Sequence, residues 1–310
     1  MKSLKDIPAS NNKSASNKQE YNAEINRTNP TAIIIMIDQS TSMSFEDIDY
    51  KGEILNYSEI VANMVNQMLN ELIGRCTKSE GVRNYFDICV IGYGGKSAIE
   101  ANILWEDGLE DKDWVSISEL KENAKYKKKT VTKLIRGKEK TSEIDVPYWF
   151  EAVANYKTPM GDAFRKSYAL LNDWIEEHQE SYPPVVINIT DGMQSDMEAP
   201  ELKEEAEKIK ALRTNDGNVL LLNCHISNSD QSIIFPLSYE NDLGDEYSEL
   251  LYEMSSVMPE SYNVDISKMR NDGEVFSNYK GMAYNANMDM LFNLIDIGTS
   301  GATQQLNQTV

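Results

Sequence analysis

The run Ala32-Ile-Ile-Ile-Met-Ile37 has no polar position, which is how a strand buried on both faces of a parallel sheet reads. It predicts the central strand. From Tyr57 the pattern changes period: Ile60, Val61, Met64, Val65, Met68, Leu69, Leu72 and Ile73 form one helical stripe, the first crossover helix. Ile88 to Tyr93 reads as a second core strand and Ala98 to Leu104 as a short neighbour. Ala169, Leu170, Trp174 and Ile175 mark a helix ended by Pro183-Pro184, and Val185 to Thr190 is the strand after it. A charged helix over about Glu201 to Arg213 and a strand over Val219 to Ile226 follow across an Asp216-Gly217 turn. Further helices are marked by Tyr247, Leu250, Leu251 and Met254 and by Met288, Leu291, Phe292 and Ile295.

This alternation predicts an α/β fold, a doubly wound and mostly parallel sheet with helices on both faces, whose ligands sit beyond the strand carboxyl ends. One segment, about 107–149, breaks the rhythm. Lys121 to Lys140 holds nine basic residues against Glu122 and Glu139. Arms over Tyr126 to Ile135 and Ser142 to Trp149 around Arg136-Gly-Lys-Glu predict a protruding β-hairpin insertion. Residues 1–29, rich in Ser, Asn and Lys, read as a disordered leader, 30–298 as a single domain, and 299–310 as a polar tail.

Composition narrows the function classes. The apolar fraction of 41% suits an ordinary globular core, and no stretch approaches the roughly 20 apolar residues of a membrane span. Fifty acidic residues against 30 basic ones give a charge of −20, which repels nucleic acid except through Lys121 to Lys140. That insertion reads first as a solvated face. Cys76, Cys89 and Cys224 suit reduced core thiols in a cytoplasmic protein. His178 and His225, the two histidines present, leave no histidine-based metal site or Ser-His-Asp triad to argue.

The candidate chemistry lies at strand ends. Asp38-Gln-Ser40-Thr-Ser42 puts a carboxylate and alternate hydroxyls on the loop after the first strand. Asp191-Gly192 ends the strand Val185 to Thr190, and Thr158-Pro-Met-Gly161 opens the preceding helix. Oxygen ligands from these loops can converge on Mg²⁺, and a set without thiolate or imidazole selects Mg²⁺, Mn²⁺ or Ca²⁺ over zinc. Singly, each element reads as a cap or turn; together and in order they read as a metal site. Asp162 reads as a helix N-terminal charge, and Glu46, Asp47 and Asp49 as a solvated acidic turn. Trp105, Trp149 and Trp174 read as packing.

These residues resemble the von Willebrand factor A (vWA) family, whose metal-ion-dependent adhesion site is Asp-x-Ser-x-Ser with a distant Thr and a distant Asp-Gly. The resemblance implies that Ser40, Ser42 and Thr158 touch the metal, with Asp38 and Asp191 acting largely through water. It also implies a Rossmann-like sheet of order 3-2-1-4-5-6 with one antiparallel edge strand. Val146-Pro-Tyr-Trp149, Thr158-Pro-Met-Gly161, Pro183 to Gly192, Asp216 to Asn223 and Ile297-Gly-Thr-Ser300 resemble bacterial stand-alone vWA proteins. Such proteins accompany kinases and phosphatases of stress or defence systems, so a kinase or phosphatase is a partner to expect. The expected function is an adaptor that binds a partner's acidic residue through the metal, without catalysis. Two alternatives stand beside it: a haloacid dehalogenase-type phosphatase with Asp38 as nucleophile, which lacks the second acid at position 40, and a metal-free scaffold.

Overall fold

The computed structural model describes residues 20–45, 48–50, 53–135, 138–192, 194–227, 232–237 and 245–298. Its strands are β1 (Thr31–Asp38), β2 (Phe86–Tyr93), β3 (Ala101–Ile103), β4 (Val115–Ser116), β5 (Lys125–Ile135), β6 (Lys138–Tyr148), β7 (Val185–Thr190), β8 (Leu220–His225), β9 (Ile233–Ile234) and β10 (Met282–Tyr284), with three small two-stranded ribbons besides. The helices are α1 (Tyr57–Cys76), α2 (Ile117–Glu122), α3 (Met160–Glu177), α4 (Ala199–Ala211), α5 (Glu246–Met254), α6 (Asn263–Arg270) and α7 (Met288–Gly298).

Along the sheet the order is β9-β10-β8-β7-β1-β2-β3, with β4 also on β2. Five neighbours, β10, β8, β7, β1 and β2, are parallel, so their carboxyl ends share one rim. Taking β1, β2, β3, β7, β8 and β10 as strands 1 to 6 gives the expected order 3-2-1-4-5-6. The fold is the doubly wound, vWA/Rossmann-like class. Antiparallel pairing is wider than the single edge strand expected: β3 and β4 run against β2, and β9 runs against β10 at the opposite edge.

Every residue of β1 is buried, and its alternate side chains feed two cores. Ile33, Ile35 and Ile37 pack with Val61, Val65, Leu69 and Leu294 from α1 and α7. Ala32, Ile34 and Met36 pack with Phe164, Leu171, Ile209 and Leu251 from α3, α4 and α5. Burying an aliphatic side chain of this size contributes roughly 1.5 to 3 kcal/mol, so β1 anchors both layers. Helix α1 begins at a capping box, in which Asn56 Oδ1 accepts from Glu59 N at 3.0 Å and Glu59 Oε2 accepts from Asn56 N at 2.9 Å.

The stretch 107–149 divides in two. Leu109, Val115, Ile117 and Leu120 are buried in the core, and β4 pairs with β2, so this part is woven into the domain. β5 and β6 form the expected hairpin, paired from Lys125↔Tyr148 to Ile135↔Lys138. Its second arm starts four residues earlier than the polar pattern suggests, because backbone pairing does not require apolar alternation. Arg136 and Gly137 lie outside the described residues, as do 1–19, 299–310, Glu46 and Asp47.

Residues 20–29, read as leader, are tied down. Asp216 accepts from the amides of Asn22 and Ala23 at 3.1 and 2.9 Å, its carbonyl accepts from Tyr21 N at 2.7 Å, and Ile25 is buried. Cys76, Cys89 and Cys224 are buried free thiols; burial pushes Cys76 and Cys224 up to about 12 and raises Cys89. Trp105, Trp149 and Trp174 are packed into the cores, and the Trp149 indole donates to Leu120 O at 2.7 Å. Among the described residues no helix is long and apolar enough to cross a membrane.

Candidate metal centre

The carboxyl ends of β1 and β7 are hydrogen-bonded into one unit. Asp38, the last residue of β1, has no solvent exposure. Its Oδ1 accepts from Ser40 N at 2.8 Å, which turns the loop, and its Oδ2 accepts from the Thr190 hydroxyl at 2.7 Å, which ties it to β7. The Ser40 and Ser42 hydroxyls face each other at 2.9 Å. Gly192, at φ +111°, accepts no side chain: a Cβ there would stand 2.7 Å from Tyr247 Cβ. Its amide donates to the Thr190 hydroxyl at 2.9 Å, so the Asp-Gly turn closes on the same threonine that holds Asp38.

Thr158 reaches this rim from the loop before α3. Its amide donates to Ser195 Oγ at 2.8 Å, and its carbonyl accepts from Ser195 N at 3.0 Å. The next residue, Asp196, accepts from Gly161 N at 3.1 Å and Asp162 N at 2.9 Å. It caps α3 from another loop, where the helix dipole favours a carboxylate. Asp162 sits in the first turn of α3, and its Oδ2 accepts from Ala101 N at 2.8 Å, binding the edge strand to the helix.

Ser40, Ser42, Thr158 and Asp191 line a single open cavity of about 460 Å³, with Asp38 directly behind Ser40. The structure therefore brings the five predicted residues together. Its walls are Phe45, Tyr57, Tyr156, Ile226 and Tyr247. The Oδ1 atom of Asp191 is buried and has no hydrogen-bond partner among the described residues. Burial, and then the neighbouring Asp191 charge, push the Asp38 carboxyl up to about 7, despite bonds from Ser40 and Thr190 that favour ionisation. Two carboxylates are thus crowded at a cavity whose described lining includes no lysine or arginine. Among the described residues no three His, Cys, Asp or Glu side chains gather as a metal cluster, so a cation here would rest on two carboxylates and three hydroxyls.

His225 is a contributor that sequence reasoning set aside. Its Nε2 lies 3.1 Å from Asp191 O, its Nδ1 lies 3.4 Å from Ser248 Oγ, and its ring stacks on Tyr284 at 5.2 Å. Since a carbonyl only accepts, Nε2 carries the proton, and burial lowers the ring's basicity. The imidazole buttresses the Asp191 backbone from below. Ser195, Asp196 and His225 all act across long sequence separations, and no local pattern marks them. His178, by contrast, caps α3 with Nδ1 2.8 Å from Trp174 O.

A buried polar ladder lies beneath the rim. Tyr93 donates to Asn188 Oδ1 at 2.8 Å, Asn188 to Asn223 Oδ1 at 3.0 Å, and Asn223 to Ser255 Oγ at 2.9 Å. Each amide is satisfied in the core, and the ladder fixes β2, β7 and β8 in one register.

No protein-family model and no curated protein matches the chain. Among solved structures it is similar to a von Willebrand factor type A protein from Catenulispora acidiphila at 12% identity and TM-score 0.34, over 65% of this chain and 34% of that one. It is also similar to the vWF domain of the type V pili tip protein Mfa5 from Porphyromonas gingivalis, at 13% identity and TM-score 0.28, over 54% and 39% of the two chains. The pilus adhesin RrgA from Streptococcus pneumoniae overlaps 87% of this chain and 35% of its own at 12% identity and TM-score 0.27. The chain thus spans well under half of each matched chain.

Proposed function

We propose that this rim is a metal-dependent adhesion site: Asp38, Ser40, Ser42, Thr158 and Asp191 hold Mg²⁺, or Mn²⁺ or Ca²⁺, and the bound cation takes a carboxylate from a protein partner. One observation carries the reading. Among the described residues Asp191 offers a buried oxygen with no hydrogen-bond donor beside a second buried acid, in a cavity that also holds the hydroxyls of Ser40, Ser42 and Thr158. A buried acceptor left unmatched costs about 1 to 3 kcal/mol, more when charged, and a cation would remove that cost at Asp191 while offsetting the repulsion between the two acids. The donors fit the group: they are hard oxygens, and neutral hydroxyls leave the dication undercompensated and receptive to an outside acid.

The reading assigns adhesion and no catalysis. Position 40, where the phosphatase alternative needs its general acid, is serine, which disfavours that alternative. It places the protein in the cytoplasm, where three reduced buried thiols are at home, as an adaptor for a kinase or phosphatase. Thermal melting of the full chain tests it. At Mg²⁺ about a hundredfold above its dissociation constant, linkage adds about 2.7 kcal/mol of stability. Melting should rise with Mg²⁺, return on chelation, and be insensitive to Mg²⁺ in Asp191→Ala. An equal response in that variant would contradict the assignment.

A further inference from the structure

The cavity is larger than its floor requires. About 460 Å³ is open there, whereas one water occupies about 30 Å³ of liquid, so one carboxylate would leave most of it unfilled. The remainder is walled by rings, and two face solvent: Phe45 is 73% exposed and Tyr156 is 58% exposed.

Tyr156 also has a strained backbone. Its φ of 45° lies in the left-handed region, which costs a non-glycine residue roughly 1 to 3 kcal/mol unless its surroundings hold it there. The surroundings are the metal loop itself. Thr41 N and Thr41 Oγ1 both donate to Tyr156 O, at 3.2 and 2.9 Å, and Asn155 N donates to Gln39 O at 2.8 Å. Thr41 lies between Ser40 and Ser42, so the loop that presents the hydroxyls also holds the Tyr156 backbone. Packing does not offset the strain, because more than half of the residue stays in water.

We propose that Tyr156 and Phe45 form an apolar collar that selects a protein segment in which an acidic residue stands next to a bulky apolar one. The acid goes to the floor and its neighbour goes between the rings. This deepens the adhesion-site reading and rests on it. The chemistry of the cavity sets the occupant: a polar floor suited to a bridged carboxylate, and walls that gain by covering apolar surface. An isolated acid or a phosphate would leave the rings wet.

The test uses the full chain with saturating Mn²⁺ and three capped peptides on a Gly/Ser frame, centred on Glu-Phe, Glu-Gly and Gln-Phe, with affinities read by calorimetry. Glu-Phe should bind about tenfold tighter than Glu-Gly, the ratio one aromatic contact can supply, and Gln-Phe should not bind. Tyr156→Gly suits the same backbone without strain, so it should fold, keep Mn²⁺ binding and lose the preference for Glu-Phe. Equal affinities for Glu-Phe and Glu-Gly, or a preference that survives Tyr156→Gly, overturn the collar while leaving the metal floor intact. Glu-Phe binding that persists after chelation but disappears in Tyr156→Gly keeps the collar and overturns the metal floor. Failure of Mn²⁺ and of all three peptides to bind overturns both.

Discussion

Asp38 is an acid that ionises against its surroundings. In an unfolded chain its carboxyl titrates in the usual range near 3.8; in the fold, burial and Asp191 push it up to about 7. The folded state therefore holds the proton more tightly. Asp38's contribution to metal-free stability is fully present below about pH 4 and is lost as pH rises through about 7. A cation reverses this by favouring the ionised form, so metal affinity should climb with pH up to about 7 and then level. Chemical denaturation of metal-free protein from pH 4 to 8 checks the first part. Wild type should lose stability relative to Asp38→Asn across that window, whereas parallel curves would show that Asp38 does not titrate there. Around Asp38 the neighbouring contacts are equally specific. Gly94, at φ +94°, lets β2 turn against the loop after β1, since a Cβ there would lie 2.4 Å from Lys157 O and 2.9 Å from Ser40 N.

At the scale of elements, the β5–β6 hairpin is a two-stranded sheet separate from the central one. Its register puts Lys125, Lys127 and Lys129 on one face and Glu143 and Asp145 on the other. The lysines near its base turn to the acidic body: Lys125 Nζ meets Glu106 Oε2 at 2.7 Å and Asp107 Oδ2 at 3.3 Å, and Lys129 Nζ meets Glu53 Oε2 at 3.0 Å. Exposed pairs of this kind contribute about 0 to 1 kcal/mol each, so they orient the hairpin more than they stabilise the domain. Replacing residues 131–142 with Asn-Gly joins the paired Thr130 and Glu143 through a two-residue turn. The melting temperature should change by less than about 3 °C, and the Mg²⁺ response should be unchanged; a larger loss would mean that the tip packs on the body. The strands that the sequence revealed most directly are those that bury continuous apolar runs, β1, β2, β7 and β8, and the helices α1, α3, α4, α5 and α7 showed through their apolar stripes. β9 and β10 escaped because two or three residues cannot show a period, and α6 because only Asn263, Ile266 and Ser267 of its eight residues are buried. The docking of residues 20–29 escaped because Asp216 holds them from almost 200 positions away. At the rim, the meeting of Asp38, Ser40, Ser42 and Asp191 was legible because each stands at or just after the end of a core strand. The placing of His225, Ser195 and Tyr156 at the rim was not, because it arises from segments that meet only in the fold.

The whole molecule sets two conditions on function. The parallel sheet gathers the ends of β1 and β7 at one rim, where the α3 loop joins them, so three distant segments form one cavity. The chain's charge of −20 attracts any dication diffusely, so weak surface association is expected whatever the rim does. A decisive test must therefore separate one specific ion from that background. The most direct measurement is Mn²⁺ titration of the full chain followed by electron paramagnetic resonance of the free ion, at 0.15 M salt where surface fields are screened within about 8 Å. The account predicts one tightly held Mn²⁺ per chain, displaced by Mg²⁺ and absent in Asp191→Ala and Ser40→Ala variants whose circular dichroism matches wild type. A titration showing only weak binding of several ions, unchanged in both variants, would contradict it.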